Sequence, residues 1–241
     1  MMRKQGKTAK RLRKLMWRLR PPRYADNAGV LLPTMHACIS KPIGRQICIG
    51  EYESKEIEIL QRRLAPDDVV MEVGAGIGFL SAFCARVVGD AGVHAYEASP
   101  AMIEVIRETH AVNRVAPTVI NAMLGRGDGS HAFFLEADFW ASSTVGASPQ
   151  AERIEVPQRD LNAELRRVAP TFLVVDIEGG EAEFFAQADL SGVRKLCLET
   201  HPGVLGDDGV SRIFQQLFAA GFVLDFSLVR KNVFFFYKPC T

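Results

Sequence analysis

Apolar positions in this chain follow two rhythms that alternate from about residue 51 onward. Short apolar runs bounded by polar or turn residues predict strands buried on both faces over 69–73, 93–96, 118–121, 172–176 and 195–199. Between them, apolar residues recur at three- and four-residue spacing and predict helices. Ile57, Leu60 and Leu64 share one face ahead of a Pro66-Asp67-Asp68 loop, and 79–88 follows the first strand. Met102, Ile103 and Ile106 give a face to a helix over about 101–113, opened by Ser99 as N-cap and Pro100 at the first helical position. Further helices are expected over 181–187 and over 207–220, the latter through Val210, Ile213, Leu217 and Phe218. The chain closes as two adjacent strands, 222–229 and 232–237, joined tightly at Arg230-Lys231, and 132–135 reads as a short extra strand. Such alternation implies an α/β fold: one mostly parallel sheet with helices on both faces. Residues 136–157 are polar and irregular, a loop of a length usually tied to function. No pattern assigns 24–50.

Composition fits a soluble globular chain, with 48% hydrophobic and 24% charged residues in 241, enough for one domain with appendages. The net charge of +1 conceals an asymmetry. Residues 1–23 hold ten Lys/Arg and no acid, which leaves 19 basic against 28 acidic residues, or −9, for the remainder. The main body is therefore no obvious polyanion binder. In the basic segment Leu12, Leu15, Met16 and Leu19 fall at helical spacing until Pro21-Pro22. It reads as a solvated tail, as a helix lying on an acidic surface or membrane, or as a nucleic-acid arm. Five cysteines (38, 48, 84, 197, 240) include no C-x-x-C pair, and Cys84 and Cys197 sit in apolar runs as packed thiols. An odd count without a signal peptide points to a reducing cytoplasm. No apolar stretch approaches the ~20 residues of a spanning helix.

Chemistry concentrates where the predicted strands end. Glu72-Val-Gly-Ala-Gly-Ile-Gly78 joins the first strand to its helix with three glycines on alternate positions. Glycine permits unusual backbone angles and close approach of the main chain to a ligand, and the helix start offers free N–H groups. A dinucleotide fingerprint would need glycine at 79, which is Phe79. The acid and three glycines instead resemble the cofactor turn of S-adenosylmethionine (SAM) methyltransferases. Glu97 ends the second strand 21 residues after Gly76, the register of an acid that accepts hydrogen bonds from ribose hydroxyls. Ligands of open α/β sheets bind beyond the carboxyl ends of the strands, which adds Asn121-Ala122-Met123, Asp176-Ile-Glu-Gly-Gly-Glu181 and Leu198-Glu-Thr-His-Pro202 to the candidates. Three acids in the six residues from Asp176 call for a nearby cation, unless Glu178 and Glu181 merely favour the start of the next helix.

From about 51 to 201 the chain resembles the FkbM-type methyltransferases. The pieces that match are Val69–Gly78, Asn121-Ala-Met-Leu-Gly125 with Gly129 behind it, Ala141-Ser-Ser-Thr144, and Asp176–Glu181, close to the family's D-x-E-G-x-E. Glu72 and Gly76 stand where that family usually has Asp and Asn. The resemblance implies a Rossmann-like seven-stranded sheet whose last hairpin inserts an antiparallel strand. Together with the charge asymmetry it divides the chain into a basic tail or amphipathic helix (1–23), an N-terminal extension (24–50) and a SAM-dependent methyltransferase domain (51–241). It also implies O-methylation of a hydroxyl on a sugar, polyketide or similar small molecule.

On this reading Glu72 and Gly74, Ala75, Gly76 and Gly78 hold the amino-acid end of SAM, Glu97 its ribose, and Asn121, Ala122 and Met123 border adenine, with Asp176 beside them. An alcohol needs a base or a Lewis acid to react. His201 is the first choice of base because its ordinary pKa of ~6.5 suits neutral pH, with Asp176 and Glu199 as alternatives. No dedicated metal site is expected, although Asp176, Glu178 and Glu199 could ligate Mg²⁺ as hard oxygen donors. Two other classes compete. A nucleic-acid methyltransferase would use the basic N-terminus as an arm, but Asp-Ile-Glu-Gly stands where amino-group methylation of bases usually shows Asn/Asp-Pro-Pro-aromatic. A non-catalytic SAM-binding protein would bind without turnover.

Overall fold

The computed structural model describes residues 7–135 and 152–239. Pro21-Pro22 stops the first helix, α1 (Lys7–Leu19), because neither proline nitrogen can donate to the turn before it. The chain then doubles back as β1 (Tyr24–Asn27) and β2 (Val30–Pro33). Their link, Ala28-Gly29, has φ of 53° and 87°, the mirror-image turn whose twist matches a two-residue hairpin. α2 (Lys41–Ile49) ends on Gly50 in the left-handed conformation, and α3 (Ser54–Arg63) follows. The stretch 24–50, which carries no readable rhythm, is thus a hairpin and a helix. Val30, Leu32, Ile43 and Ile47 bury it in the same core as the sheet.

β3 (Val70–Val73), α4 (Phe79–Val88), β4 (Val93–Glu97), α5 (Pro100–Asn113) and β5 (Thr118–Asn121) come where the alternation places them. Beyond β5 the expectation needs correction. β6 (Met123–Gly125), β7 (Gly129–Leu135) and β8 (Glu152–Asp160) form a separate small sheet in the order β6-β8-β7, so 152–157 is strand and not loop. Pro157 and three charged residues (Glu152, Arg153 and Glu155) hide it, because a central proline argues against a strand. Here β6 pairs only with residues 158–160, and the proline ring faces no ladder on that side. The rest of the expected loop, with Ala141–Thr144, lies outside the described residues. α6 (Leu161–Val168) is likewise unanticipated. Its signal is present in Asp160, whose side chain accepts the Ala163 N–H at 2.7 Å, and in Leu161, Leu165 and Val168 on one buried face.

β9 (Phe172–Val175), α7 (Glu181–Gln187) and β10 (Lys195–Glu199) match expectation. α8 (Pro202–Ala219) is broken at Gly206 (φ 66°), so its regular part begins near the expected 207. The closing pair is shorter than the periodicity suggests: β11 is only Val223–Leu224, and β12 is Val233–Tyr237. Asp225 accepts the Ser227 N–H and winds 226–228 into a single tight turn, ending the strand.

The main sheet runs β11-β12-β10-β9-β3-β4-β5, with β12 antiparallel to both neighbours and the other pairings parallel. Alternate residues of each strand feed opposite layers. Phe172 and Val174 pack toward α3 and α4, while Leu173 and Val175 pack toward α6, α7 and α8. Both faces are covered, which explains the unbroken apolar runs. The order reverses at β3, which lies between β4 and β9, so a crevice opens past the carboxyl ends of β3, β4 and β9. Among the described residues no helix is long and apolar enough to cross a membrane, and Cys38, Cys48, Cys84 and Cys197 are free.

Candidate functional site

A cavity of about 370 Å³ occupies that crevice. Of the residues singled out in the sequence, it is lined by Gly74, Gly76, Glu97, Ala122, Met123, Asp176, Glu178 and Glu199. One side is built from the glycine turn. Gly74 has φ 89°, and a Cβ on it would stand 1.7 Å from the carbonyl oxygen of Asp176, so β3 and β9 can only approach this closely at glycine. The N–H groups of Gly74 and Ala75 both donate to the Tyr96 carbonyl at 3.0 Å, which locks the turn onto β4. The Gly76 N–H donates to Glu97 Oε2 at 2.9 Å and the Ser99 N–H to Oε1 at 2.8 Å. Burial pushes the Glu97 carboxyl up to about 7 despite those bonds. Each oxygen keeps a second lone pair for a ligand hydroxyl.

Several expected ligand contacts have other parts to play. Glu72 does not line the cavity: strand alternation turns it, with Val70, toward the α3–α4 layer. It is 2% exposed, its Oε2 has no hydrogen-bond partner, and burial raises it to about 8, which keeps it neutral in the core near Ser81. Ala75 is buried and Gly78 is the N-cap of α4, where a Cβ would come within 3.0 Å of Ile106. Gly78 therefore serves the closure of α4 on α5. Asn121 also stays off the cavity wall. Its Nδ2 donates to the carbonyls of Glu97 and Ala98 at 2.8 and 3.0 Å, so it pins the strand tip that carries Glu97.

The opposite side of the cavity is acidic. Asp176, Glu178 and Glu199 come from the ends of β9 and β10, and the start of α3 adds its cap residue Glu53 and Glu56. Burial and the charges of Glu199 and Glu178 hold Asp176 well above the usual carboxylate range, and its Oδ1 is enclosed without a hydrogen bond. Burial raises Glu56 and Glu178 to about 7 each, with Glu199 adding to both and His201 opposing the rise at Glu178. Glu178 (φ 50°) and Gly179 (φ 101°) form a left-handed pair, and a strained backbone of this kind is characteristic of functional turns. Glu53 and Glu56 escape sequence reading because Glu53-Ser-Lys-Glu-Ile-Glu58 looks like the start of an ordinary solvated helix; only packing against β10 and β12 reveals them.

His201 is not a free base. Nδ1 lies 2.5 Å from Glu181 Oε1, Nε2 lies 3.0 Å from Glu178 Oε2, and Asp176 Oδ1 is 3.6 Å away. Burial lowers its pKa, but the hydrogen bond to Glu181 and the fields of Glu178 and Asp176 outweigh that and bring it to about 9. The imidazole is a cation at neutral pH, with no lone pair for a substrate proton. The same geometry bears on Mg²⁺. Ligand atoms of Asp176, Glu199 and His201 lie within 4.8 Å of one another, yet a protonated ring with both nitrogens engaged already fills the cation's place. This set does not fit a resident metal.

Glu56, Glu72, Glu97, Glu178 and His201 all have folded pKa values above their ordinary ones. The folded chain therefore binds more protons than the unfolded one, and the stability each group adds at low pH disappears as pH rises through about 7 to 9. The melting temperature of the protein without ligands is expected to fall by about 5 °C or more between about pH 5 and pH 9 in a scanning calorimeter. A flat profile would contradict this burial of carboxyls.

A doubly wound sheet with a glycine turn and an acidic strand tip at its switch point defines the class of Rossmann-like methyltransferases. The methyltransferase FkbM domain matches residues 72–224. The chain belongs to the FkbM family of SAM-dependent methyltransferases. It is 29% identical over 160 residues to a protein-L-isoaspartate O-methyltransferase of Roseiflexus sp. (strain RS-1), spanning 65% of this chain and 67% of that protein. Similar solved structures include precorrin-6y C5,15-methyltransferase from Geobacter metallireducens (15% identity, 78% of this chain, 89% of that one, TM-score 0.45). Another is a methyltransferase from Pyrococcus furiosus (13% identity, 98% and 100%, TM-score 0.47).

Proposed function

We propose that this enzyme transfers a methyl group from SAM to a hydroxyl of a small, uncharged or cationic acceptor. The observation that carries this reading is the division of one cavity into a glycine-turn side and a carboxylate side. Gly74 and Gly76 admit a ligand against bare backbone, Glu97 keeps lone pairs for ribose hydroxyls, and Ala122 and Met123 suit the adenine edge. Bound there, SAM would supply an electrophilic methyl group attached to its positively charged sulfonium sulfur, which the neighbouring carboxyls complement.

Asp176 is the group we assign to take the hydroxyl proton. It lines the cavity and its Oδ1 has no other partner. The His201 imidazolium, 3.6 Å away, favours its ionised form and is fixed in turn by Glu181 and Glu178. Glu199, held at 2.5 Å by Asn232 Nδ2, shapes the same wall. Because bond formation is a direct displacement, these residues contribute alignment, water exclusion and a place for the proton. A carboxylate acceptor would set a further negative charge beside acids that already raise one another's pKa, and so would a nucleic-acid phosphate. The free cysteines suit a reducing compartment such as the cytoplasm.

Incubation of the protein and SAM with cell extract, followed by mass spectrometry, is expected to reveal neutral or amine-bearing products heavier by one methylene. EDTA should leave that turnover unchanged. Products confined to carboxylates or RNA, or SAM binding without any turnover, would refute the proposal.

A further inference from the structure

We propose that α1 is an interfacial anchor that seats this protein on an anionic phospholipid surface. Leu12, Leu15, Met16 and Leu19 form one stripe at the spacing that normally faces a core, yet they are 59%, 51%, 44% and 76% exposed. The helix is not a loose tail. Its opposite face, Lys10, Arg13 and Trp17, is fastened to the body: Lys10 pairs with Glu51, and Arg13 donates to the Asp26 carbonyl at 3.2 Å. The Arg13 carbonyl accepts from the Cys48 thiol at 3.6 Å, and the Trp17 ring lies so near Gly44 that a Cβ there would come within 2.8 Å of it. Local packing thus holds the apolar stripe outward.

Cations flank the stripe. Arg11, Lys14 and Arg18 of α1 meet Arg45 of α2 around a cleft that Leu15 also borders. No acid occurs in the helix sequence. Apolar side chains bordered by Arg and Lys match the boundary of an anionic bilayer, where acyl chains take the leucines and headgroup phosphates take the cations. RNA would satisfy the cations and leave the leucines in water. A second copy would bring the two cationic flanks together. α2 lies beside α1 and lines the cavity with Ile43 and Gln46, so the anchor sits one helix away from the candidate site.

The test is flotation of the full chain with phosphatidylcholine vesicles, with or without about 30 mol % phosphatidylglycerol. The protein is expected to float with the anionic vesicles and not with the neutral ones. Leu12→Ser/Leu15→Ser/Leu19→Ser should weaken partitioning about a hundredfold with an unchanged melting temperature, because these side chains leave the core untouched. Arg11→Gln/Lys14→Gln/Arg18→Gln should erase the preference for anionic lipid. The proposal is overturned if the wild-type chain stays unbound, or if the serine variant floats equally well. Leucine-dependent binding to an acidic protein, or binding to an RNA oligomer, without flotation would also overturn it.

Discussion

Gly74→Ala is expected to abolish SAM binding and to lower the melting temperature by about 10 °C or more. Its Cβ would lie 1.7 Å from the Asp176 carbonyl oxygen, well inside any possible contact, and φ at this position is 89°. Relief requires β3 and β9 to part at their tips, which are joined one residue earlier by the Asp176 N–H to Val73 carbonyl bond at 3.0 Å. The combined strain and lost bonding should cost about 4 kcal/mol, a large share of ordinary domain stability. Gly192→Ala is the control, since a Cβ there meets nothing within 4 Å. Calorimetry of both variants decides: a Gly74→Ala protein that melts with the wild type and binds SAM equally would disprove the tight β3–β9 closure.

Asp176→Asn is expected to reduce kcat by about 10²- to 10⁴-fold, the usual worth of a general base, while SAM affinity changes far less. The substitution keeps shape and removes only the capacity to accept a proton. In the wild type, kcat/KM should rise with pH as Asp176 ionises from well above the usual carboxylate range and Glu178 from about 7, and level off once both carry charge. These apparent values belong to the coupled cluster as a whole. His201→Gln separates cation from base. With the positive charge gone, like charges repel and the rising limb should move to higher pH, with activity recovered in alkali. If histidine were the base, the rising limb would vanish and no alkaline recovery would follow.

The parallel sheet was legible because its strands are buried on both faces, so the apolar runs are continuous and their order follows the alternation with helices. The small sheet and α6 were not, because Pro157 and the charged residues of 152–160 carry the signature of a loop, and the register that tolerates the proline is a tertiary fact. Gly74, Gly76, Glu97, Ala122, Met123 and Asp176, which line the cavity, could be placed there because the alternation puts each at or just past a strand's carboxyl end. Glu72 could not, because a position at a strand's end does not say which face its side chain takes. His201 is visible in the sequence but its charge is not, since its pKa is set by Glu181, Glu178 and Asp176, which only the fold brings to its two nitrogens.

The cavity's outer wall includes His131, Phe133 and Gln158 from the β6–β8 sheet, an excursion inserted between β5 and β9. The glycine turn and Glu97 belong to the parallel sheet and share no strand with that excursion. Exchange of β7 and β8 would therefore redraw one wall of the cavity while the glycine turn and Glu97 keep their places on the parallel sheet.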